Sequence, residues 1–513
     1  MGAESATTSM IKLDPMFTVG PLNRRLFGSF VEHLGRCVYT GIYEPDHPTA
    51  DEFGFRSDVA ALITELQPTI IRYPGGNFVS AYNWRDGIGP HDQRPVRYDL
   101  AWNTVETNQV GTDDFLRWVE RLELEPMMAV NLGTAGVNEA VDLLSYVNAE
   151  PGLAVSDERV RNGRRTPYGV KVWCLGNEMD GPWQIGHKTP EEYARLAAET
   201  ARAMKRLTAD KDGRTGPPIE LVACGSSMRS MPTFGSWERI VLESCFDEVE
   251  HISAHAYYEP IGGDLQSFLA SAEDMDRFIS GVIATADHVA AMRRSEKKIT
   301  ISFDEWNVWF AERNADREPG SDAEDVYDVS EAVVVGSLLI ELIRHSDRVA
   351  IACQAQLVNL LAPILTRPGG PAWRQTIFHP FALTSRHAGP VVLAGAGAGP
   401  MINTERYGAV GQLHTVSTHD PDSGEVVIFA VNRGAETALD FCAELDGFGR
   451  PGWSLLEHLM ITDADPHAKN TEDNPDRVVP RRGGARVADG VVLAELPPIS
   501  WHCIRLTPTD TPS

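Results

Sequence analysis

Paired cysteines are missing from this chain. Its seven cysteines (37, 174, 224, 245, 353, 442 and 503) are odd in number, scattered and without a C-x-x-C pair, so neither a disulfide framework nor a thiolate metal site is expected. They read as reduced thiols of a cytosolic protein, and Cys174, Cys224 and Cys353 fall inside strand-like runs where a free thiol packs as a small hydrophobe. Positive charge is also scarce. Forty-six Lys and Arg stand against 72 Asp and Glu, the formal charge is −26 and the pI near 5.0. With no basic stripe interleaved with aromatics, nucleic acid is not an expected partner. Long apolar runs are absent too: the longest, 332–343, is interrupted by Glu341, falls far short of the ~20 residues that cross a bilayer, and reads as a buried helix. The opening MGAESATT has neither the basic region nor the apolar stretch of a secretory signal, and Ala6 stands where a myristoylation motif wants Ser or Thr. The expectation is a cytoplasmic protein with no membrane segment and no lipid anchor.

What is present is a long alternation. At 513 residues the chain exceeds one ordinary core. Strand-like runs at 26–32, 69–73, 126–132, 170–175, 219–224, 251–257, 298–304 and 349–357 each precede a helix-like segment, the pattern of a (β/α)₈ TIM barrel in the α/β class. One helix has a complete local signature: Thr189-Pro190-Glu191-Glu192 offers an N-cap, a first-turn proline and a capping-box acid, and Tyr193, Leu196, Ala197, Thr200, Met204 and Leu207 recur on one face. Near residue 388 the helices stop. Short alternating runs follow at 410–417, 425–431, 439–445, 454–461, 491–496 and 501–506, predicting a C-terminal antiparallel, jelly-roll-like β-sandwich. Residues 10–20 also alternate, so an N-terminal strand is expected to complete it. The expected domains are 21–387 for the barrel and 1–20 plus 388–513 for the sandwich, with 463–484 a mobile loop by composition.

Two acids carry the chemical argument. Glu178 closes Val-Trp-Cys-Leu-Gly-Asn-Glu and Glu305 closes Ile-Thr-Ile-Ser-Phe-Asp-Glu, so both are placed at strand ends, over one mouth of the barrel. Two facing carboxyls are the minimal equipment for glycoside hydrolysis, one protonating the leaving oxygen and the other attacking the sugar. Asp304 rivals Glu305, but strand alternation predicts that the two point to opposite faces. Trp306 and Trp309 suit a carbohydrate site as readily as a core.

Further motifs make the pattern specific: GSFVEHLGR (28–36), RYPGGNF (72–78), YNWRDGIGP (82–90), ETNQVGTDDF (106–115), GNEMDGPWQ (176–184), FDEWNVW (303–309) and AQLVN (355–359). With them the chain resembles family 51 of the glycoside hydrolases, the α-L-arabinofuranosidases. The resemblance implies Glu178 as general acid/base and Glu305 as nucleophile of a retaining double displacement, with carboxyls about 5 Å apart. It implies that Asn177 bonds the sugar 2-hydroxyl, that Glu32, Asn77 and Gln356 hold furanose hydroxyls, that Trp102 lines the mouth, and that Tyr257, Arg72 and His255 support Glu305. It also implies an arabinose-containing oligo- or polysaccharide substrate, no cofactor, no metal, and a trimer or hexamer. Ala81 and Arg85 depart from the family's usual Gly and Glu, and Asn103 and Glu259 occupy variable places; all four are expected toward the rim.

Weaker signals yield to plainer explanations. His251 and His255 have a helical metal spacing but lie in a strand-like run. Gly395-Ala-Gly-Ala-Gly-Pro reads as a flexible inter-domain turn rather than a nucleotide loop, and Ser226 and Ser227 lack a nucleophile elbow. The alternatives to an exo-acting arabinofuranosidase are an endo-β-glucanase or another furanosidase on the same frame, and, from another class, a non-catalytic sugar-binding protein.

Overall fold

The structure, a computed structural model, describes residues 8–209, 213–310, 324–450 and 452–509. Eight parallel strands close into a barrel: β1 Gly28–Phe30, β2 Ile70–Tyr73, β3 Glu125–Val130, β4 Val172–Leu175, β5 Glu220–Ala223, β6 His251–Tyr258, β7 Thr300–Val308 and β8 Val349–Gln354. Neighbours in sequence are neighbours in space, and β8 pairs with β1 to close the ring. Phe30, Ile70, Met127, Val172, Val222 and Ile351 fill the interior, with Cys174 and Cys353 among them as buried free thiols. Six of the strands are shorter than their sequence runs, whereas β6 and β7 continue for 8 and 9 residues, farther than expected.

Helix Pro190–Thr208 begins on the expected cap: the Glu192 carboxylate accepts from the Thr189 amide at 2.9 Å, and Thr189 Oγ1 accepts from the Glu192 amide at 3.4 Å. Its inner residue Tyr193 donates to the Leu175 carbonyl at 2.8 Å and accepts from the Cys224 amide at 2.7 Å. One phenol thereby ties the ends of β4 and β5 together beneath the mouth. Helix Val329–Arg344 is buried on almost every side because it lies between barrel and sandwich. That position explains why its sequence is apolar all round rather than striped.

The sandwich has a seven-stranded and a five-stranded sheet. The N-terminal run enters both, as strands Thr8–Lys12 and Thr18–Pro21. Thr8–Lys12 pairs in parallel with Leu439–Glu444, so the sandwich is not antiparallel throughout. The glycine-rich segment expected to be a free turn is partly strand: Ala396–Ala398 pairs with Met10–Lys12, because an alternation of Gly and Ala can lie close against a neighbouring strand. The polar segment 463–484 is also held more firmly than its composition suggests. Asn470 exchanges two hydrogen bonds with the Val478 backbone, His467 Nδ1 lies 2.8 Å from Asp328 Oδ2 on the barrel side, and Ala468 and Val478 are buried. The first seven residues of the expected N-terminal segment lie outside the described residues.

Candidate active site

At the C-terminal mouth of the barrel the strand ends gather a buried polar cluster. Glu32 lies just past β1, Arg72 is in β2, Asn177 and Glu178 follow β4, His255 and Tyr257 are in β6, Asp304 and Glu305 in β7, and Gln356 follows β8. All but half-buried Tyr257 are almost fully buried, Glu178 being the most open at 8 % exposure. Glu178 reaches the cluster through a tight turn: Gly176 has φ +92° and Glu178 itself φ +43°, a left-handed conformation that costs a non-glycine residue energy. Strain of this kind is tolerated where surrounding contacts fix it. Here the Trp183 indole N–H donates to Glu178 Oε2 at 2.6 Å, and His255 Nδ1 lies 2.9 Å from Oε1.

Glu305 is gripped by three groups. Arg72 Nη1 donates to Oε1 at 2.8 Å, the Tyr257 hydroxyl donates to Oε2 at 2.8 Å, and His255 Nδ1 stands 3.6 Å from Oε2. The second arm of Arg72 donates to Asn177 Oδ1 at 2.5 Å. One guanidinium therefore orients both the β7 carboxylate and the amide beside Glu178. The nearest carboxylate oxygens of Glu178 and Glu305 and the His255 nitrogen all lie within 4.8 Å of one another.

Two expectations about β7 need correcting. Glu305 lies inside the strand, which runs on to Val308, and Asp304 is not turned away from the cluster. Asp304 Oδ1 lies 2.9 Å from His255 Nε2, and Oδ2 lies 3.6 Å from Arg72 Nε. The reason is irregular pairing: the register shifts between Phe303 and Trp306 against β8 and between Ser253 and His255 against β6, so simple alternation fails there. Asp304, 1 % exposed, forms a floor under Arg72 and His255, two of the three residues that touch Glu305.

The charges follow from these contacts. Burial alone would lower the His255 imidazole, but Glu305, Asp304 and Glu178 hold it well above its ordinary value, so it is an imidazolium. Burial works to raise Asp304, yet Arg72 and His255 keep it below the usual carboxylate range. For Glu305, burial and the facing Glu178 outweigh His255 and Arg72, and its carboxyl is raised.

A second cluster adjoins the first. Glu32 Oε1 accepts from the Phe78 amide and from the Trp102 indole, both at 3.0 Å, and Oε2 accepts from Gln356 Nε2 at 3.1 Å. Burial pushes Glu32 up to about 8 against those donors. Trp102 arrives on the hairpin of Arg97–Asp99 and Thr104–Glu106, next to Asn103 at φ +54°. Asn77 is half-buried at the head of the short helix Asn77–Ser80. Before it, Gly76 passes so close that a Cβ would meet Glu305 Oε1 at 3.0 Å and both Asn177 Nδ2 and Glu32 Oε2 at 3.4 Å. Asn177 Nδ2 and Gln356 Oε1 are buried and find no partner within the protein, an arrangement that costs stability unless a ligand completes it.

Of the site residues expected from the sequence, Glu32, Arg72, Trp102, Asn177, Glu178, His255, Tyr257, Glu305 and Gln356 are thus linked at one mouth, and Asn77 follows Gly76 at its edge. Sequence reading missed the roles of Asp304 and Trp183; the latter stands five residues after Glu178 within a motif already noted. Arg85 departs from expectation in another way: it bonds Asp142 at 2.7 Å and Glu158 at 2.9 Å and stacks on Trp84, so it braces two helices rather than lining the rim. Among the described residues, two groups have metal-ligand spacing: Glu178, His255 and Glu305, and Asp276, Glu341 and His345. In both, a histidine nitrogen already stands between the two carboxylates: His255 Nδ1 lies 2.9 Å from Glu178 and 3.6 Å from Glu305, and His345 Nε2 lies 2.8 Å from Asp276 and 3.2 Å from Glu341.

Comparison with known proteins gives a consistent result. Residues 62–277 match the model of the α-L-arabinofuranosidase 1 domain and residues 304–500 that of the α-L-arabinofuranosidase C-terminal domain. The chain is 52% identical to an intracellular exo-α-(1->5)-L-arabinofuranosidase of Streptomyces lividans, over 97% of this chain and 75% of that one. It is 48% identical to an exo-α-(1->6)-L-arabinofuranosidase of Bifidobacterium longum, over 97% of both. Among solved structures it is similar to AbfB, a family 51 α-L-arabinofuranosidase from Bifidobacterium longum, with a TM-score of 0.92 and 46% identity over 97% of this chain and 99% of that one.

Proposed function

The chain belongs to the α-L-arabinofuranosidases of glycoside hydrolase family 51, and from that premise we propose that it removes terminal arabinofuranose from arabinan, arabinoxylan or their fragments by a retaining double displacement. It is an exo-acting glycoside hydrolase. The observation that carries the mechanistic reading is the approach of Glu178 and Glu305, whose nearest oxygens lie within 4.8 Å. That spacing suits direct attack by one carboxylate and leaves no room for the intervening water of an inverting enzyme.

In this reading Glu178 gives its proton to the glycosidic oxygen while Glu305 attacks the anomeric carbon, and the leaving sugar departs with the proton. The resulting ester removes the charge on Glu305. Glu178, now ionised, takes a proton from water as the water displaces Glu305, and the configuration is retained. His255 suits both halves. Its Nδ1 hydrogen lies between Glu178 and Glu305, at 2.9 and 3.6 Å, and can turn to whichever carboxylate holds the charge. Arg72 and Tyr257 fix Glu305 for attack, and Trp183 fixes Glu178. Asn177, whose Nδ2 finds no partner within the protein, is assigned to the sugar 2-hydroxyl; Glu32, Asn77, Gln356 and Trp102 receive the rest of the furanose.

The same proposal divides the chain into a catalytic barrel, 21–387, and a sandwich, 1–20 plus 388–513. It takes the protein to be a homo-oligomer, a trimer or hexamer. Several relatives are named intracellular, and among the described residues no helix is long and apolar enough to cross a membrane, so action inside the cell is proposed.

The test is hydrolysis of 4-nitrophenyl α-L-arabinofuranoside by the wild type and by Glu178→Ala with azide added. Fast wild-type turnover, a slow variant and rescue as a glycosyl azide of retained configuration support the scheme. Absence of wild-type turnover, with activity on β-glucans instead, would overturn it.

A further inference from the structure

Apart from Asn177 after β4, the groups assigned to the terminal furanose come from one side of the barrel: Glu32 after β1, Asn77 and Trp102 after β2, and Gln356 after β8. Across Glu178 and Glu305, on the side of β5, β6 and β7, lies a cavity of ≈330 Å³. It is of the size that takes a small ligand. Its inner wall is Tyr257, whose hydroxyl holds Glu305, and Trp309, set edge-on to Tyr257 with ring centroids 5.5 Å apart. Met228 on the loop after β5 and Ile261 after β6 are 39 % and 44 % exposed along its margin.

The outer wall does not belong to the barrel. Strands Met401–Thr404 and Gly408–Gly411 form a hairpin at the start of the sandwich, and its tip residues Arg406 and Tyr407 line the cavity opposite Trp309. The tip is fixed from within and from without. Thr404 Oγ1 accepts from the Tyr407 amide at 3.0 Å and donates to the Gly408 carbonyl at 2.9 Å. The Arg406 amide donates to Ser267 Oγ at 3.2 Å, and Arg277 lies over the Tyr407 ring at 5.7 Å. Close by, Arg433 of the sandwich is buried and pairs with Glu273 of the barrel at 2.8 Å, locking the two bodies at this edge.

We propose that this cavity is a leaving-group subsite built jointly by the two domains, in which the 401–411 hairpin places Tyr407 against the second and third sugars of a linear, neutral pentose oligosaccharide. The inference rests on the reading of Glu178 and Glu305 given above. A cleaved bond must lie between them, and with the terminal furanose held on the β8, β1 and β2 side the rest of the substrate leaves toward β5, β6 and β7. Aromatic faces at Trp309 and Tyr407 suit sugar rings, and Arg229, held to Asp274 at 2.6 Å, gives a charge-balanced pair for their hydroxyls. A chain longer than a disaccharide thus gains from the sandwich what an aryl glycoside cannot reach.

The experiment compares kcat/KM for 4-nitrophenyl α-L-arabinofuranoside, α-1,5-linked arabinobiose and arabinotriose in the wild type, Tyr407→Ala and Tyr407→Phe. Tyr407→Ala should lose roughly fivefold on arabinotriose, the order of one aromatic contact. The loss should fall mainly in KM and diminish progressively toward the aryl glycoside, with Tyr407→Phe recovering most of it. Binding of arabinotriose to Glu305→Gln and to the Glu305→Gln/Tyr407→Ala double variant, by calorimetry, measures the same contact without turnover. An equal loss on all three substrates, or no loss on arabinotriose and no difference in calorimetry, would overturn the subsite. If the wild type cleaves no arabinofuranoside, the reading of the site fails, whereas intact turnover with no chain-length effect sinks the subsite alone.

Discussion

Buried histidines occur at the barrel mouth and inside the sandwich, and they are held in opposite states. At the mouth, both nitrogens of His255 face carboxylates, and the ring is an imidazolium. In the sandwich, the Ala485 amide donates to His458 Nδ1 at 3.0 Å, so His458 Nε2 must carry the hydrogen directed at His502 Nδ1, 3.0 Å away; His502 Nε2 then donates to Ser500 Oγ at 2.7 Å. Neither ring of this relay can take a second proton without losing a hydrogen bond. Burial depresses His458 to about 4 and puts His502 well below its ordinary value. The same side chain at similar depth is charged where anions surround it and neutral where donors and another histidine do. The difference teaches that a buried ring's neighbours, not its depth, set its charge: anions hold the second proton on His255, and burial among donors and another ring keeps His458 and His502 neutral.

Breaking the mouth should have the largest effects. Glu305→Ala should lower kcat on an aryl arabinofuranoside by about 10⁴-fold or more, measured in a steady-state assay. Glu178→Ala should cost about 10²- to 10⁴-fold on a natural oligosaccharide and less on the aryl glycoside, whose leaving group needs less help from an acid. Asp304→Asn sharpens the comparison. Removing one anion from beside the His255 ring should lower its pKa and bring kcat down roughly tenfold. Histidine ¹⁵N shifts across a pH series report the first and kinetics the second; an unmoved His255 titration would refute this account of Asp304.

The sandwich answers pH with the opposite sign. His458 has a folded-state pKa near 4, below the ordinary 6.5, so the unfolded chain binds more protons as acid is added. Stability is therefore fully present above about 6.5 and is lost as pH falls toward 4. The ceiling for His458 is about 2 kcal/mol between pH 7 and pH 5. Thermal midpoints at the two pH values should show the loss, and His458→Gln should flatten it. The smallest effect belongs to the outer helical face, where Arg195 and Glu199 pair at 3.1 Å in the open. Arg195→Ala should change stability by less than about 0.5 kcal/mol in the same melts.

Much of this was legible in the sequence because local rules and long-range needs agree. Strand-like apolar runs separated by helical patterns have few ways to bury their surfaces other than a closed parallel barrel, and the Thr189 cap and the 332–343 run specify their helices outright. The acids could be picked out because carboxylates ending buried runs are costly unless used. Where the signal failed, the cause was a feature that adds no residue type. The shifted pairing of β7 lets Asp304 join the cluster against the rule of alternation, and nothing in Phe-Asp-Glu-Trp marks it. The Gly-Ala stretch and the polar 463–484 segment read as loops because composition does not record a neighbour's unpaired edge or a partner such as Asp328.

Sequence by itself determined the barrel, the following β-domain, the family and most of the residues at the mouth, since each rests on periodicity or on a contiguous motif. Only the tertiary structure decided how those residues share protons and ligands: that His255 stands between Glu178 and Glu305 with Asp304 beneath, that Trp183 holds the acid, and that a sandwich hairpin closes a cavity beside the barrel's Trp309. Those relations join positions from about fifty to about a hundred residues apart, apart from Trp183, whose turn is local. They depend on register and distance to a fraction of an ångström, which chain order does not encode and packing does.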